Sequence, residues 1–531
     1  METETIGYVI SGSLKDGFTA RLTAPTSSVQ EGCFVVVECE QMRYYGLVTD
    51  IRLGASDPRY SEIRTGSRLS PEIAGLLFSK TLYTEIEIMP TLMQNVDEND
   101  DGPHNPLPVK MLPNHQSNTR IASAFDVAEI FGKPDDKLMF TVGNTREQGH
   151  PVVLNLGKLI ERSSGIFGAT GSGKSYLTRM ILAGLIHSKQ ASVLVFDMHN
   201  EYAYATKSSD TGASAAGLKD KLGSRVRVCA LGESTEIHGI QPDFDLVFEF
   251  SDITAEDILM LSRELNLRET TAATLSALET EFHENWLKEF MEMDDLDIWC
   301  DAHRVNAMAA EALRNKLNRV YTRKYVVEKA PKNAVDQIID ALENGLSVIM
   351  SFGKFDSDLD YLLTSNIITR KVCAAWEKKT NAHYNGGPKP TPLVIAVEEA
   401  HKLLNSEMAG QTAFSEIARE MRKYYVTLLV IDQRPSQIYD EVMSQLGTRI
   451  SGWLGDEADI AAVLSGLSGK DSLRGMLSRL QPKQEVLMLG YGVPMPIPLA
   501  SRRYDETFWQ ELLKNDFRLR ADEEEDLFCN F

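Results

Sequence analysis

The period of the apolar positions changes along the chain, and each change predicts a different kind of element. Up to about residue 90 the apolar residues come in short β-branched and aromatic runs: Tyr8-Val9-Ile10, Phe34-Val35-Val36-Val37, Tyr44-Tyr45-Gly46-Leu47-Val48 and Leu82 to Met89. Turn-forming residues separate them at Lys15-Asp16-Gly17, Glu31-Gly32 and Gly54-Ala55-Ser56-Asp57-Pro58. In the last run Leu82, Thr84, Ile86 and Ile88 share one face while Glu85 and Glu87 take the other, the alternation of a half-buried strand. These runs predict a small β-barrel. The stretch from Asp97 to Pro113 is too polar and too broken by proline to pack, and predicts a linker.

From about residue 136 apolar runs of strand length alternate with longer helical segments, the signature of a parallel sheet covered by helices. The expected strands include Gly165-Ile166-Phe167, Ser192 to Phe196, Leu346 to Met350, Leu393 to Val397 and Thr427 to Ile431. Between the second and third of these, residues 251–345 show only helical spacing. Ile258, Leu261 and Leu265, then Leu275, Leu278 and Phe282, then Leu313, Leu317 and Val320 recur three and four residues apart. The expected division is a barrel with its linker over 1–112, an α/β domain over 113–510 with a helical insertion at 251–345, and a solvated or partner-docking acidic tail over 511–531.

The chain has 531 residues, enough for two to four domains, and carries a formal net charge of −21, so a wholly basic nucleic-acid surface is excluded and any nucleic-acid contact must be local. No apolar run approaches the roughly 20 residues of a membrane span, and Met1 to Thr5 lacks the features of a signal peptide. The expected compartment is the cytoplasm, with no membrane partner. Cys33, Cys39, Cys229, Cys300, Cys373 and Cys529 form no CxxC pair and have no nearby His ligands, so neither zinc nor disulfides are indicated.

Gly168-Ala169-Thr170-Gly171-Ser172-Gly173-Lys174-Ser175 satisfies G-x-x-x-x-G-K-[ST] between an expected strand and an expected helix, Tyr176 to His187. Its glycines let successive N–H groups turn around phosphates, Lys174 brings a point charge to the β- and γ-phosphates, and Ser175 offers a hydroxyl to Mg²⁺. Leu393 to Val397 ends in Glu398-Glu399 and delivers two carboxylates to the sheet edge. Taken alone such a pair can equally start a helix. Beside a phosphate loop, Glu398 is assigned to the metal's water shell and Glu399 to the base that polarises the attacking water. Two further strands point at the same edge, one running into Asp197-Met198-His199-Asn200-Glu201-Tyr202 and the other into Asp432-Gln433-Arg434-Pro435-Ser436. Gln433 can both donate to a γ-phosphate and accept from water, as a sensor of nucleotide state needs. Asp197 and Glu201 serve either the site or a turn, and His401 either couples to neighbouring loops or is structural.

These residues resemble a known family. The phosphate loop, the D-x-H-x-E-Y string at Asp197 to Tyr202, the E-E-A-H at Glu398 to His401 and the Q-R-P-S at Gln433 to Ser436 look like the HerA branch of the HerA/FtsK ATPases. The order of parts also matches over essentially the whole chain, although only the motifs are specific and the barrel is matched by pattern alone. The resemblance implies an α/β fold with a RecA-like P-loop ATPase core, an inserted helical subdomain and a preceding small β-barrel. It implies a homohexameric ring that moves double-stranded DNA through its central channel, with ATP and Mg²⁺ as cofactors. Tyr176, the residue after Ser175, joins the nucleotide-binding set, and Glu398 stands where a Walker-B aspartate is usual.

The resemblance also implies arginines that complete each site. Arg162, twelve residues before Lys174, falls where the family carries a basic residue ahead of the first core strand. Ala418 to Tyr425 is similar to an R-x-G-R-K-Y pattern with Met421 in place of glycine, so Arg422 is expected to be the finger reaching the neighbouring subunit, with Arg419 second and a solvated basic face as the plain alternative. Arg314, Lys316, Arg319, Arg323 and Lys324 in the insertion are basic but are not assigned to DNA. The expected function is an ATP-driven duplex translocase or helicase that works with a partner nuclease of the NurA kind or a defence effector docked at the barrel. The alternative is an ATPase scaffold whose nucleotide state regulates a bound antiphage effector, a nuclease or a sirtuin-like NADase. A protein-remodelling or DNA-independent ATPase is a third reading.

Overall fold

The computed structural model describes residues 5–56, 82–96, 105–135, 138–207, 214–268, 270–408, 412–467 and 469–514. The expected acidic tail from residue 515, Cys529, the start of the linker at 97–104 and the Asp57-Pro58 end of one turn lie outside them. Two compact units emerge. The first takes the described residues up to Asn155, the loop Gly168–Gly173 and Thr448–Arg502; the second takes Leu156–Phe167, Lys174–Gly447 and the described residues from Arg503 onward.

In the first unit six antiparallel strands close a barrel in the order Gly17–Leu22, Thr5–Ser13, Asn118–Ile121, Phe34–Cys39, Met42–Ala55 and Leu82–Asn95, the last pairing back to the first. Closure leaves none of these six strands as a sheet edge. Ile6, Val9, Phe18, Ala20, Val35, Val37, Val48, Ile86 and Ile88 fill the interior, one face of each alternating strand. The turn into Gly17–Leu22 requires its glycine: φ is +87° there, and a Cβ would lie 2.4 Å from the Ile88 carbonyl oxygen.

The barrel is not complete at residue 112. Asn118–Ile121 returns to it, between Thr5–Ser13 and Phe34–Cys39, and Leu107–Pro108 of the expected linker pairs with Leu92 and Met93. The returning strand escapes an apolar reading because what it buries is Thr119 and Arg120. Arg120 is compensated by a bidentate pair to Asp126 at 2.7 and 3.0 Å and by Glu38 at 2.9 Å. The same unit carries an antiparallel ladder of Thr448–Ser451, Glu485–Gly490, Ile497–Ser501, Met139–Asn144 and Pro151–Asn155.

The second unit is an α/β core built on a parallel sheet. Seven parallel strands lie in the order Phe244–Leu246, Val226–Leu231, Ser347–Ser351, Ser192–Asp197, Leu393–Glu398, Val426–Asp432 and Ser164–Phe167. Ser192–Asp197, Leu393–Glu398 and Val426–Asp432 are buried at every position, as strands covered on both faces must be. The helix Lys174–Ser188 is buried almost all round. Within the expected insertion, helices from Ala255–Met260 to Ala307–Tyr321 form their own core around Leu261, Leu275, Leu278, Trp286, Phe290, Leu313 and Leu317. Burying each such side chain contributes about 1.5–3 kcal/mol. The insertion ends before residue 345, because Ala334–Glu343 packs on the sheet: the Ser192 hydroxyl donates to the Leu342 carbonyl at 2.6 Å. A helix on the sheet and a helix in the insertion share the same spacing, so periodicity alone does not separate them.

Candidate active site

Parallel register brings four strand ends to one level. Phe167 pairs with Asp432, Glu398 with Ile431, and Phe196 with Val397, so the phosphate loop, the Asp197 turn, the glutamate pair and Gln433 all leave the same edge of the sheet. The Glu398 strand lies two strands from the strand that feeds the loop.

The loop itself requires its glycines. Gly171 and Gly173 have φ of +77° and +94°, and a Cβ on Gly168 would lie 2.3 Å from the Ser172 Oγ. That Oγ is buried without a hydrogen-bond partner among the described residues. Ala169 N–H donates to the Trp453 carbonyl at 3.0 Å, and the Ser172 carbonyl accepts from Lys483 N–H at 2.9 Å. The helix starts at Lys174, two residues earlier than its spacing predicts, so Lys174, Ser175 and Tyr176 form its first turn, where N–H groups lack intrahelical acceptors. Positive-φ glycines, an orphaned hydroxyl and a buried ammonium suit a polyphosphate.

Glu399 is the hub of the site. It leaves the strand with φ of +45°, a left-handed conformation that is uncommon for a residue with a side chain. Its Oε1 accepts from Lys174 Nζ at 3.3 Å and from Gln433 Nε2 at 2.6 Å, and its Oε2 lies 3.5 Å from His401 Nδ1. Lys174 and Glu399 are both buried, 8% and 5% exposed, so their pairing is shielded from water.

Glu398 faces the other way. Its Oε2 accepts from the backbone N–H groups of Met198 and His199 at 3.0 and 3.1 Å, and its Oε1 lies 3.4 Å from the Tyr202 hydroxyl and 3.5 Å from His199 Nδ1. Burial pushes this carboxyl up, but the His199 hydrogen bond and charge, with Lys174 behind them, hold it below the usual carboxylate range. Asp197 is fully buried and accepts from Glu201 and Tyr202 N–H, both at 2.9 Å. Burial and then the Glu398 charge raise its pKa far above the ordinary carboxylate range. Asp197 therefore shapes the turn as a buried acceptor of two backbone N–H groups, and Glu398 ties that turn to the end of its own strand.

His401 also joins two strand ends. Its backbone N–H and its Nδ1 reach Asp432 Oδ2 at 2.6 and 3.0 Å. The Asp432 hydrogen bond raises the imidazole pKa above its ordinary value against the opposing effect of burial. Ligand-type atoms of Glu399, His401 and Asp432 lie within 4.8 Å of one another, the one such group among the described residues.

The arginines stand apart from this cluster. Arg422 is exposed in the turn Met421–Tyr424 and makes no ion pair among the described residues. Arg419 pairs with Glu441 at 3.2 Å, and the exposed Arg162 lies against Gly447. In the insertion, Arg314 and Arg319 donate to the carbonyls of Met293 and Glu264 at 3.0 and 2.6 Å, Lys316 donates to the Asn266 carbonyl, and Arg323 pairs with Asp360 at 3.1 Å. These four stitch the helices together.

Sequence reasoning did not find the partnership of His199 and Tyr202 with Glu398. Nothing local signals a hydrogen bond across 196 residues, although the D-x-H-x-E-Y string marks the turn that supplies both.

A family model described as the central domain of the helicase HerA matches residues 140–372. A DNA double-strand break repair helicase HerA from Sulfolobus acidocaldarius is 24% identical over 512 residues, 94% of this chain and 94% of that protein. Its namesake from Saccharolobus solfataricus is 23% identical over 502 residues, covering 92% and 91%. Among solved structures, the bacterial conjugative coupling protein TrwB superposes on 72% of this chain and 92% of its own, with a TM-score of 0.46 and 10% identity.

Proposed function

We propose that this chain, a HerA-like P-loop enzyme that hydrolyses ATP, is a motor on double-stranded DNA, working as a homohexameric ring around the duplex. The observation that carries the reading is the convergence of two side chains on one carboxylate oxygen: Lys174 and Gln433 both donate to Oε1 of the hub Glu399. In the proposed cycle Lys174 transfers its charge from Glu399 to the incoming phosphates. Glu399, released from that pair, orients and deprotonates the attacking water, and Gln433 reports the γ-phosphate to the strand end that carries Asp432 and His401.

Ser175 and Glu398 are the groups that would hold Mg²⁺ and its water shell, and the ion would neutralise charge on the phosphates. Arg422, exposed and without an ion pair among the described residues, is available to a neighbouring subunit's nucleotide. That these relatives are DNA double-strand break repair helicases supports duplex DNA as the polymer. We assign docking of a partner nuclease or defence effector to the barrel, where Leu53 is 83% exposed beside Leu82 and Tyr83.

Displacement of the third strand from a triplex-bearing linear duplex tests the motor directly. The purified protein, with any co-purifying partner retained, is expected to release that strand only when ATP and Mg²⁺ are present. Release that needs no ATP, or none with the partner present, rejects the motor.

A further inference from the structure

The helix that follows the phosphate loop carries two side chains to which the cycle above gives no role. Tyr176 and Arg179 stand one turn apart on it, and Tyr504 comes to them from the C-terminal part of the same unit, its hydroxyl donating to the Ala216 carbonyl at 2.7 Å. The two tyrosine rings lie 6.1 Å apart between centroids and are inclined by 31°, a splayed pair whose members are both half-buried. The Arg179 guanidinium carbon sits 5.9 Å from the Tyr176 centroid and 5.8 Å from that of Tyr504.

Arg179 is only 2% exposed. One of its nitrogens, Nη2, donates to the Glu201 carbonyl and to the Thr206 hydroxyl. Its Nε and Nη1 are buried with no hydrogen-bond partner among the described residues. Buried guanidinium donors normally find acceptors, so two orphans beside a half-open aromatic pair call for a ligand that brings both a π-face and acceptor atoms. A nucleobase has both. Tyr176 is two residues past Lys174, and a base extends one ribose beyond the α-phosphate, so this helix face is where the nucleoside end of a phosphate-bound nucleotide falls.

We propose that Tyr176, Tyr504 and Arg179 form the nucleobase subsite, with the base stacked on the tyrosine pair and its ring nitrogens accepting from Arg179. This rests on the phosphate loop being the ATP site, and it adds a contact that the phosphates cannot report.

The test is calorimetric titration of the full chain with ADP and, separately, with inorganic tripolyphosphate, both with Mg²⁺. Tyr504→Ala is expected to weaken ADP binding about 5- to 150-fold, the range for loss of one aromatic stack on a base. Tripolyphosphate affinity stays within twofold, and Tyr504→Phe binds ADP as the native chain does. If Tyr504→Ala loses its cooperative thermal transition, Tyr504→Leu, which keeps apolar bulk without an aromatic face, is read in its place. Equal changes for the two ligands, or none for either, overturn the subsite while leaving the phosphate loop intact. A native chain that binds neither ligand overturns the ATP site itself, and the subsite with it.

Discussion

Gln433 and Glu399 leave two different strands, yet the Gln433 amide donates to Glu399 Oε1 at 2.6 Å, on the same oxygen that accepts from Lys174. An amide in that position restrains the carboxylate without adding a charge of its own. In the proposed cycle, a γ-phosphate that draws away both the amide and Lys174 frees that oxygen, which would make sensing and base activation one event.

Removing the amide therefore affects turnover more than binding. Gln433→Ala is expected to lower kcat about 10- to 100-fold, short of the full loss of a general base, with KM moved by no more than a few fold. Steady-state hydrolysis alongside equilibrium ADP binding checks this; a raised KM with kcat unchanged contradicts it.

The two residues that share Glu399 Oε1 are expected to fail in different ways. Lys174→Ala weakens ATP binding, whereas Glu399→Gln keeps binding and loses turnover by about 10²-fold or more. Filter binding of a slowly hydrolysed ATP analogue, set against phosphate release, separates the two; equal loss of binding in both variants is the contrary result.

The His401 and Asp432 pair gives a dependence on pH. Asp432 and Glu399 face the imidazole, Lys402 opposes them, and the net effect raises the folded-state pKa above 6.5. A raised pKa means that the protonated form is favoured by folding, so the contribution is complete below about pH 6.5 and fades as pH climbs through the higher folded-state value. The stability gap between the native chain and His401→Asn, measured by urea unfolding, is expected to be on the order of 1 kcal/mol at pH 6 and smaller at pH 9. A gap that widens with pH reverses the assignment.

Arg422 acts across subunits if it is the finger. Arg422→Ala and Lys174→Ala are each expected to be inactive alone, and mixing them after dissociation restores part of the native ATPase rate, because some boundaries then combine an intact loop with an intact arginine. No recovery in mixed assemblies, with mixing verified by a tag on one variant, places the function of Arg422 within its own subunit.

The parts legible in the sequence are those whose signal is local. Leu393 to Val397 is an unbroken apolar run followed by two acids, and the loop from Gly168 to Ser175 carries its chemistry in eight consecutive residues. What escaped depends on distant partners. Asn118–Ile121 reads as polar because Arg120 is buried only by virtue of Asp126 and Glu38. The strands of the antiparallel ladder, such as Thr448–Ser451, are too short to announce themselves. Tyr504 carries no motif and acquires meaning only where the fold sets it beside Tyr176.

The central claim, that a triphosphate split at Glu399 drives motion on a duplex, is tested most directly by measuring ATP hydrolysis by the native chain and by Glu399→Gln, each with and without linear double-stranded DNA. The account predicts a native rate that rises when the duplex is added and a variant rate at background in both conditions. A native rate indifferent to the duplex, together with a variant that hydrolyses as fast as the native chain, contradicts it.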